Sequence, residues 1–498
     1  MSTDDFFRGR LDQMIDLNHP LAVLANRLPW DSLEQEIYGA LCHRNRAGEL
    51  IVDEDLFGEV ASLSGAGVAA AGRPRLPTRL MISLLYLKHA FNLSDEALVA
   101  RWSENVVWQY FSGLEYYQPT PPCDPTQIGR FRTRIGEEGV EELLKATIDT
   151  AVQIGAIEPQ EFEQVIVDST VQEKAIAYPV DARLLEIARE KLVKSAKALG
   201  LRFKQTHAKE GKRLRFKASG YAHARQFKRL RRVLKRQRTL LGRVIRQIKR
   251  QLGSLVLASD AALAALHELL ERAEQLHRQR PKDKNKLYAL HAPEVECICK
   301  GKARQRYEFG VKASFAVSHA QGLIIGARTF PGNPYDGHVL AEQLEQTRIF
   351  TEDHGVAPKE VYVDLGYRGV DRDNPAVTIV HRGKPKSLSL DQKKNLKRRQ
   401  AIEPMIGHLK ADHRLQRCWL AGELGDALHA VLCATGYNIQ WLLRAIVRLG
   451  LAGFFAPWNP GAALLRCIVR GLRARVTHAL PASTGRLFAT DQQLAVVA

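Results

Sequence analysis

The sequence predicts an α/β protein: a mixed sheet flanked by helices, with an N-terminal all-α domain and a long basic helical insertion. Three observations predict this fold class. Residues 163–171 form an apolar run of the strand type, and strand-like runs return at 306–318 and 322–331. Residues 183–280, between the first run and the others, have the apolar spacing of long helices. Further strands and helices then alternate, which is typical of one α/β core.

The chain is long and strongly basic. Its 498 residues are too many for one compact domain, so we expect about two to four units. The formal net charge is +19 and the isoelectric point is about 9.7. Such an excess of positive charge points to a polyanionic partner. Nucleic acid is the first candidate, and a membrane surface is the second.

The ends, apolar runs and cysteines indicate a reduced cytoplasmic protein. The first ten residues show no basic and then apolar leader, and the most apolar run, near 427–444, is interrupted by polar residues. The seven cysteines are scattered and odd in number, which does not indicate a disulfide framework. Cys297 and Cys299 are too close together for the usual zinc site. We therefore expect a cytoplasmic, nucleoid-associated protein with no membrane partner.

Changes in composition divide the chain into five units. They are an N-terminal segment, a helical DNA-binding domain, an α/β core in two parts, a basic helical insertion and a C-terminal tail. We place them at 1–75, 76–155, 160–177 together with 300–449, 178–299 and 450–498. In the helical domain, Ser94 and Thr126 are predicted N-caps.

Three arginines near the start of a helix in this domain, Arg130, Arg132 and Arg134, allow two interpretations. They fit the basic late helix of a helix-turn-helix arrangement that binds DNA. They also fit a solvated basic face, and the sequence leaves both interpretations open.

The insertion carries the densest positive charge. Residues 202–250 contain 19 Lys or Arg and one acid, Glu210. Like charges one helical turn apart repel each other, so an anionic partner is expected to offset them. We predict that Arg229, Arg232 and Arg236 contact DNA, while the apolar stripe of 227–248 packs on a neighbouring helix. A membrane-surface helix is the alternative.

Two strand-like runs end in a carboxylate. The run Val165–Val167 ends in Asp168, and the run Val361–Val363 ends in Asp364. We predict that both acids project from one edge of the sheet. Divalent cations such as Mg²⁺ take oxygen ligands, so a third acid is expected nearby.

The best third acid is Glu403, on a predicted helix. Arg399 lies four residues before it and Lys410 seven residues after it, so all three fall on one helical face. Ile402, Met405, Ile406 and Leu409 form an adjacent apolar stripe that could seat this helix on the sheet. Pro404 restricts Glu403 to the first turn, or else kinks the helix.

The set Asp168, Asp364 and Glu403 resembles the Asp-Asp-Glu triad of insertion-sequence transposases with an RNase H-like core. In the branch of insertion-sequence-four and -five types, the third acid lies in the motif Tyr-x2-Arg-x3-Glu-x6-Lys. Arg399, Glu403 and Lys410 match this spacing, whereas Leu396 occupies the Tyr position. The segments "VDLGYRG" and "LMISLLYLKHAFNLSDEALVARWSENVVWQYFSGL" also resemble family segments. The resemblance spans about residues 78–445.

The resemblance implies a metal-dependent enzyme acting on DNA. The triad would hold Mg²⁺ or Mn²⁺, as two ions about 4 Å apart, for strand cleavage and strand transfer. Arg399 and Lys410 would contact DNA phosphates. The partners would be transposon ends and target DNA, bound by a homodimer. Two other interpretations stay open: a nuclease without strand transfer, and a DNA-binding protein that has lost catalysis.

Overall fold

A single mixed sheet forms the centre of the protein. The computed structural model describes residues 9–41, 76–252, 260–299, 306–383 and 387–451. The strands are β1 Gln164–Glu173, β2 Glu296–Cys299, β3 Tyr307–Ser318, β4 Ile324–Phe330, β5 Glu360–Tyr362 and β6 Thr378–Val380. Their order is β2-β3-β1-β5-β6, and β4 also pairs with β3.

The strand directions define the sheet topology. β1 runs antiparallel to β3 and parallel to β5, and β5 runs parallel to β6. β3 pairs with β2 near its start and with β4 along the rest of its length, both on the edge opposite β1. Three antiparallel strands followed by two parallel ones, with helices packed around them, form an RNase H-like core. The structure confirms the predicted fold class.

Helices make up most of the remaining described residues. Before the first strand they are α1 Leu11–Met14, α2 Pro20–Ala25, α3 Trp30–Leu41, α4 Thr78–Ala90, α5 Asp95–Glu104, α6 Val106–Phe111 and α7 Pro125–Gln153. The insertion contributes α8 Asp181–Ala198, α9 Ala208–His223, α10 Phe227–Gln251 and α11 Asp260–Arg278. The core adds α12 Leu340–Thr351, α13 Leu390–Arg398, α14 Ile402–Asp412 and α15 Gly422–Leu449.

One continuous apolar core joins the N-terminal helices to the sheet. α15 lies at its centre, packing on α4, α7 and β4. Gly436 of α15 lies so close to α4 that a Cβ there would come within 2.4 Å of the His89 main chain, which explains a glycine in mid-helix. α15 is long and apolar enough to cross a membrane, but 78% of its most apolar window is buried inside the protein. α15 therefore packs as a core helix of this protein.

The insertion has an apolar cluster of its own. α10 packs on α8, α9 and α11, and Leu192, Leu241, Ile248 and Leu270 are among the residues buried between these helices. The predicted apolar stripe of α10 therefore has partner helices, although Phe227 at its start is exposed. The part from α8 to α11 leaves the core after β1 and returns before β2.

A buried ionic cluster fixes the base of the insertion. The Lys174 ammonium lies 2.7 Å from Glu294 and 2.8 Å from Asp426, and all three side chains are nearly inaccessible to solvent. Lys174 directly follows β1, Glu294 precedes β2, and Asp426 belongs to α15. The exit and return of the insertion are thus tied to the same core helix.

Three local predictions need correction. The sequence places residues 296–299 within the insertion, but they form β2, because their main chain pairs with the start of β3. The basic composition of residues 381–399 predicts a loop, but Ser389 and Gln392 form a capping box that begins α13 within it. Asp124 caps α7 in place of Thr126, with Pro125 in the first turn.

Other local predictions hold, and some lie outside the described residues. Ser94 caps α5 through the Ala97 amide. The helical run 125–153 is broken at Gly136, whose φ of 67° is left-handed, so it forms the two predicted helices. Most of the predicted units 1–75 and 450–498 lies outside the described residues.

Candidate active site

Asp168 lies in the middle of β1 rather than at its end. β1 continues to Glu173 because its antiparallel pairing with β3 extends that far, whereas its pairing with β5 stops at Ile166. The prediction that Asp168 ends its strand is therefore wrong. Asp168 nevertheless lies two residues beyond Ile166, so β1 is no longer paired with β5 at this position.

The parallel register brings Asp168 and Asp364 together. Val165 pairs with Val361, and Ile166 pairs with Tyr362. Continuing this register by two residues along both segments leads to Asp168 on one and Asp364 on the other. Side chains at matching positions of parallel strands project to the same face. The Asp364 carboxylate accepts a hydrogen bond of 2.7 Å from the Gly366 amide and begins a short 3-10 turn, Leu365–Tyr367.

Glu403 lies on α14, which packs beside the strand that carries Asp168. Ile402, Met405 and Leu409 are buried, and α14 packs against β1. Pro404 lies in the first turn of α14, where a proline is tolerated. The Glu403 side chain is 65% exposed and faces outward from the helix.

Arg399 lies between two of the three acids. Its guanidinium is 3.4 Å from the Asp168 carboxylate and 3.4 Å from the Glu403 carboxylate. Arg399 belongs to a 3-10 turn directly before α14, which lets its side chain reach both groups. A single cation therefore offsets the charge of two acids on different elements.

The three predicted acids do not converge on one point in this arrangement. Within the described parts of the chain, no three His, Cys, Asp or Glu side chains are grouped closely enough to hold a metal ion. We expected the three carboxyl groups to lie close enough to share metal, and this expectation is not met. Instead, the Arg399 guanidinium lies between Asp168 and Glu403.

A fourth acid, Asp336, lies beside the first two, and our sequence reasoning missed it. Its carboxylate accepts hydrogen bonds from the Ser169 hydroxyl at 2.7 Å and from the Lys312 ammonium at 2.8 Å. The signal available was the segment "GNPYDGH", whose Gly, Asn and Pro indicate an ordered turn next to β4.

Tyr367 marks the centre of this acidic region. Burial, followed by the charges of Asp168, Asp336 and Asp364, raises the pKa of its hydroxyl well above the ordinary value. Its hydroxyl has no hydrogen-bond partner at bonding geometry among the described residues, although the Ser169 hydroxyl lies close to it. Three carboxylates are thus near enough to this buried phenol to raise its pKa.

Lys410 and Leu396 lie at the two ends of the predicted motif. Lys410 is two turns along α14 from Glu403, and its ammonium lies 4.0 Å from the Glu308 carboxylate on β3. Leu396 is buried in the main core on α13. An apolar side chain there provides packing and cannot supply the polar contact of a tyrosine.

The arginines of the N-terminal domain differ in their surroundings. Arg130 is exposed on α7. Arg132 is buried, and burial lowers the pKa of its guanidinium. Arg134 donates to the main-chain carbonyls of Ala40 and Leu41, where it caps the end of α3. These positions favour structural roles for Arg132 and Arg134 and leave Arg130 available to a ligand.

The predicted arginines of the insertion are all at the surface. Arg229, Arg232 and Arg236 are exposed on α10. Arg229 donates to the Gln226 side chain, and Arg236 forms a salt bridge of 2.7 Å with Glu210. Because Glu210 is the one acid in residues 202–250, most of the positive charge there has no acid close in sequence.

The sheet topology defines an RNase H-like protein, and comparisons with known proteins give the family. Residues 9–134 match the family described as a transposase domain (DUF772), and residues 277–439 match the transposase DDE domain. The chain belongs to the DDE transposases of insertion sequences. It has the function of a transposase, which acts on DNA.

One curated relative and the placement of the matches refine this result. The chain is 40% identical over 224 residues to the "Uncharacterized protein ORF8 in nfe locus" of Rhizobium meliloti. The match covers 45% of this chain and 95% of that relative. No solved structure matches the chain. Asp364 and Glu403 lie in the matched DDE domain, whereas Asp168 lies between the two matched segments.

Proposed function

We propose that this protein binds the terminal inverted repeats of its insertion sequence and catalyses metal-dependent strand cleavage and strand transfer into target DNA. Asp168, Asp364 and Glu403 are the catalytic acids of this proposal. The observation that carries it is the register of β1 and β5, which aligns Asp168 with Asp364 on one face of the sheet. This alignment supports a catalytic role for Asp168, which lies outside the two matched segments.

The chemistry of the donor set fits Mg²⁺ or Mn²⁺. All the candidate ligands are carboxylates, which hard divalent cations prefer. The positive charge of Arg399 between Asp168 and Glu403 occupies the place where cationic charge is needed. Bound divalent ions, two in this proposal, would supply Lewis-acid charge to the phosphodiester and to the attacking water or 3′-hydroxyl. Asp168, Asp364 and Glu403 would hold them once Arg399 turns to a DNA phosphate.

The residues around the acids would orient the DNA. Arg399 is partly exposed and flexible enough in length to exchange a carboxylate for a phosphate, with which a guanidinium forms paired hydrogen bonds. Lys410, two turns along the same helix, would contact the next part of the backbone. In this proposal α10 continues the path through Arg229, Arg232 and Arg236, and Arg130 adds a contact from α7. We also propose a homodimer in the active complex and a cytoplasmic location.

Transfer of a labelled DNA end tests the proposal. The full chain is incubated with Mg²⁺, a supercoiled target plasmid and an end-labelled duplex taken from the DNA that flanks the gene. We expect labelled plasmid as the joined product. Cleaved duplex without joined product would indicate a nuclease, and specific binding without cleavage would indicate a protein that has lost catalysis. Either result would overturn strand transfer.

A further inference from the structure

We infer that Asp336 is a fourth carboxylate ligand of the metal site, next to Asp364. This inference rests on the proposed function, because it concerns the same site. It arises from four described residues that the predicted triad does not include: Asp336, Ser169, Lys312 and Tyr367.

The two oxygens of Asp336 have different surroundings. Oδ1 is held by the Ser169 hydroxyl at 2.7 Å and the Lys312 ammonium at 2.8 Å. Oδ2 faces Gly366, where a Cβ would come within 3.0 Å of it. The same Cβ position would be 2.9 Å from Oδ1 of Asp364. The carboxylates of Asp336 and Asp364 therefore flank one glycine, where any side chain would crowd both of them.

Two carboxylates that flank a single residue repel each other unless a cation offsets their charge. Lys312 offsets Asp336, and Arg399 offsets Asp168 and Glu403. Within the described residues, no ion pair involves Asp364. The region between Asp336 and Asp364 thus has an excess of negative charge, which a divalent cation would neutralise.

The buried Tyr367 hydroxyl is a second, independent observation. It lies near Asp168, Asp336 and Asp364 and close to the Ser169 hydroxyl, but it has no partner at hydrogen-bond geometry among the described residues. A buried polar group without a partner costs free energy, so such groups usually meet water or an ion that the protein binds. A water molecule on a bound cation would satisfy this hydroxyl and lie among the three acids.

Asp336 is not needed merely to anchor its loop. Lys312 also donates to the Pro334 carbonyl, so the loop before α12 is already tied to β3. An asparagine at 336 could accept from Ser169 and Lys312 without adding a charge beside Asp364. A bound cation would explain why position 336 carries a charged carboxylate and not a neutral amide.

Terbium luminescence tests the inference without DNA or catalysis. Tb³⁺ takes the same oxygen ligands as Mg²⁺ and emits strongly when a nearby tyrosine transfers energy to it. The full chain is titrated with Tb³⁺, and Mg²⁺ is then added as competitor. We expect Asp336→Asn to weaken Tb³⁺ binding about tenfold or more, and Asp364→Asn to weaken it to a similar extent. Tyr367→Phe should reduce the sensitised emission and leave the affinity nearly unchanged.

The controls separate the inference from the proposed function. Asp373→Asn removes an exposed acid nine residues after Asp364 and should bind Tb³⁺ like the wild type. If Asp364→Asn weakens binding and Asp336→Asn does not, Asp336 is no ligand and the proposed function stands. If Asp168→Asn and Asp364→Asn also bind normally, the metal site itself is wrong.

Wild-type protein gives a second measurement that does not depend on the folding of a variant. Fe²⁺ with ascorbate produces hydroxyl radicals that cut the main chain next to the bound ion. We expect cuts near Asp336 as well as near Asp168 and Asp364, identified by mass spectrometry and suppressed by Mg²⁺. Cuts near Asp168 and Asp364 without any near Asp336 would overturn the inference.

Discussion

The acidic site and the basic insertion are built on opposite principles. The acids Asp168, Asp336 and Asp364 come from separate parts of the chain and lie in one region through strand register and a loop held by Lys312. The charged face of α10 comes from one continuous segment with a helical apolar stripe behind it. The site is thus made by long-range pairing and the basic surface by local periodicity.

This difference shows how the two regions should respond to mutation. Each acid has a defined place, so a single isosteric change at the site should have a large effect. The arginines of α10 act through summed charge, so single changes should have small effects and several are needed. The predictions below use this contrast, from the largest expected effect to the smallest.

Neutralising one acid of the triad should give the largest effect. We expect Asp168→Asn, Asp364→Asn or Glu403→Gln to slow DNA cleavage by about 10³-fold or more, because loss of a metal ligand removes several kcal/mol of transition-state stabilisation. Binding of the DNA ends, measured by gel shift, should stay within about twofold. Asp373→Asn is the matched control. A triad variant that cleaves at near-normal rate would remove that residue from the site.

Neutralising the α10 face should mainly affect DNA affinity. The variant with Arg229, Arg232, Arg236 and Arg243 changed to Gln should bind more weakly and with a smaller salt dependence, by about 0.9 in the logarithmic slope for each DNA phosphate that the protein no longer neutralises. A control with Arg278, Arg280, Lys282 and Lys284 changed to Gln removes equal charge elsewhere in the insertion. Unchanged affinity with failed dimerisation on DNA would make the insertion an assembly element.

Removing Arg399 should affect both the rate of cleavage and the binding of DNA. Arg399→Ala is expected to slow cleavage about tenfold and reduce the salt slope by about one phosphate. It should also raise the affinity of the DNA-free protein for Mn²⁺, because the cation that competes between Asp168 and Glu403 is gone. Lys410→Ala should reduce the salt slope without that gain in metal affinity. An unchanged salt slope in both variants would argue against phosphate contact.

Acid should weaken the core more than the insertion. Burial, with help from Lys88, Arg414 and Arg132, lowers the pKa of His429 to about 3, and burial also lowers the pKa of His89. An unfolded histidine binds a proton near pH 6.5, whereas folded His429 stays neutral, so stability falls as the pH drops below 6.5. His429 alone should cost about 2 kcal/mol at pH 5.

Hydrogen exchange at pH 7.5 and 5 measures this difference. After correction for the intrinsic rate, we expect a larger loss of protection at pH 5 in α15 than in α10. Burial also lowers the pKa of His277, which lies against Gly242 of α10, but this side chain is only half-buried, whereas His429 is buried. His429→Asn should reduce the change in α15, whereas His408→Gln, at an exposed position, should not. Equal loss of protection in both helices would contradict this account.

The sequence predicted features that depend on local pattern better than those that depend on pairing. The strands at 307–318 and 324–330, the Ser94 cap and the apolar stripes of α10 and α14 follow from spacing and turn residues. Glu403 came from motif spacing and resemblance to a family. Strand β2 was missed because four residues carry too little pattern, and the true end of β1 depends on the length of β3. Asp336 was missed because only the folded chain brings it to Asp364.

Metal rescue of a cysteine variant tests the central claim, that Asp168 is the first metal-binding acid of this transposase. Asp168→Cys replaces a hard oxygen ligand with sulfur, which binds Mg²⁺ poorly and softer cations such as Mn²⁺ or Cd²⁺ better. We predict that Asp168→Cys fails to cleave its DNA ends in Mg²⁺ and regains activity in Mn²⁺ or Cd²⁺, as Asp364→Cys does. Asp168→Cys that stays inactive in every cation, while Asp364→Cys is rescued, would contradict the assignment of Asp168.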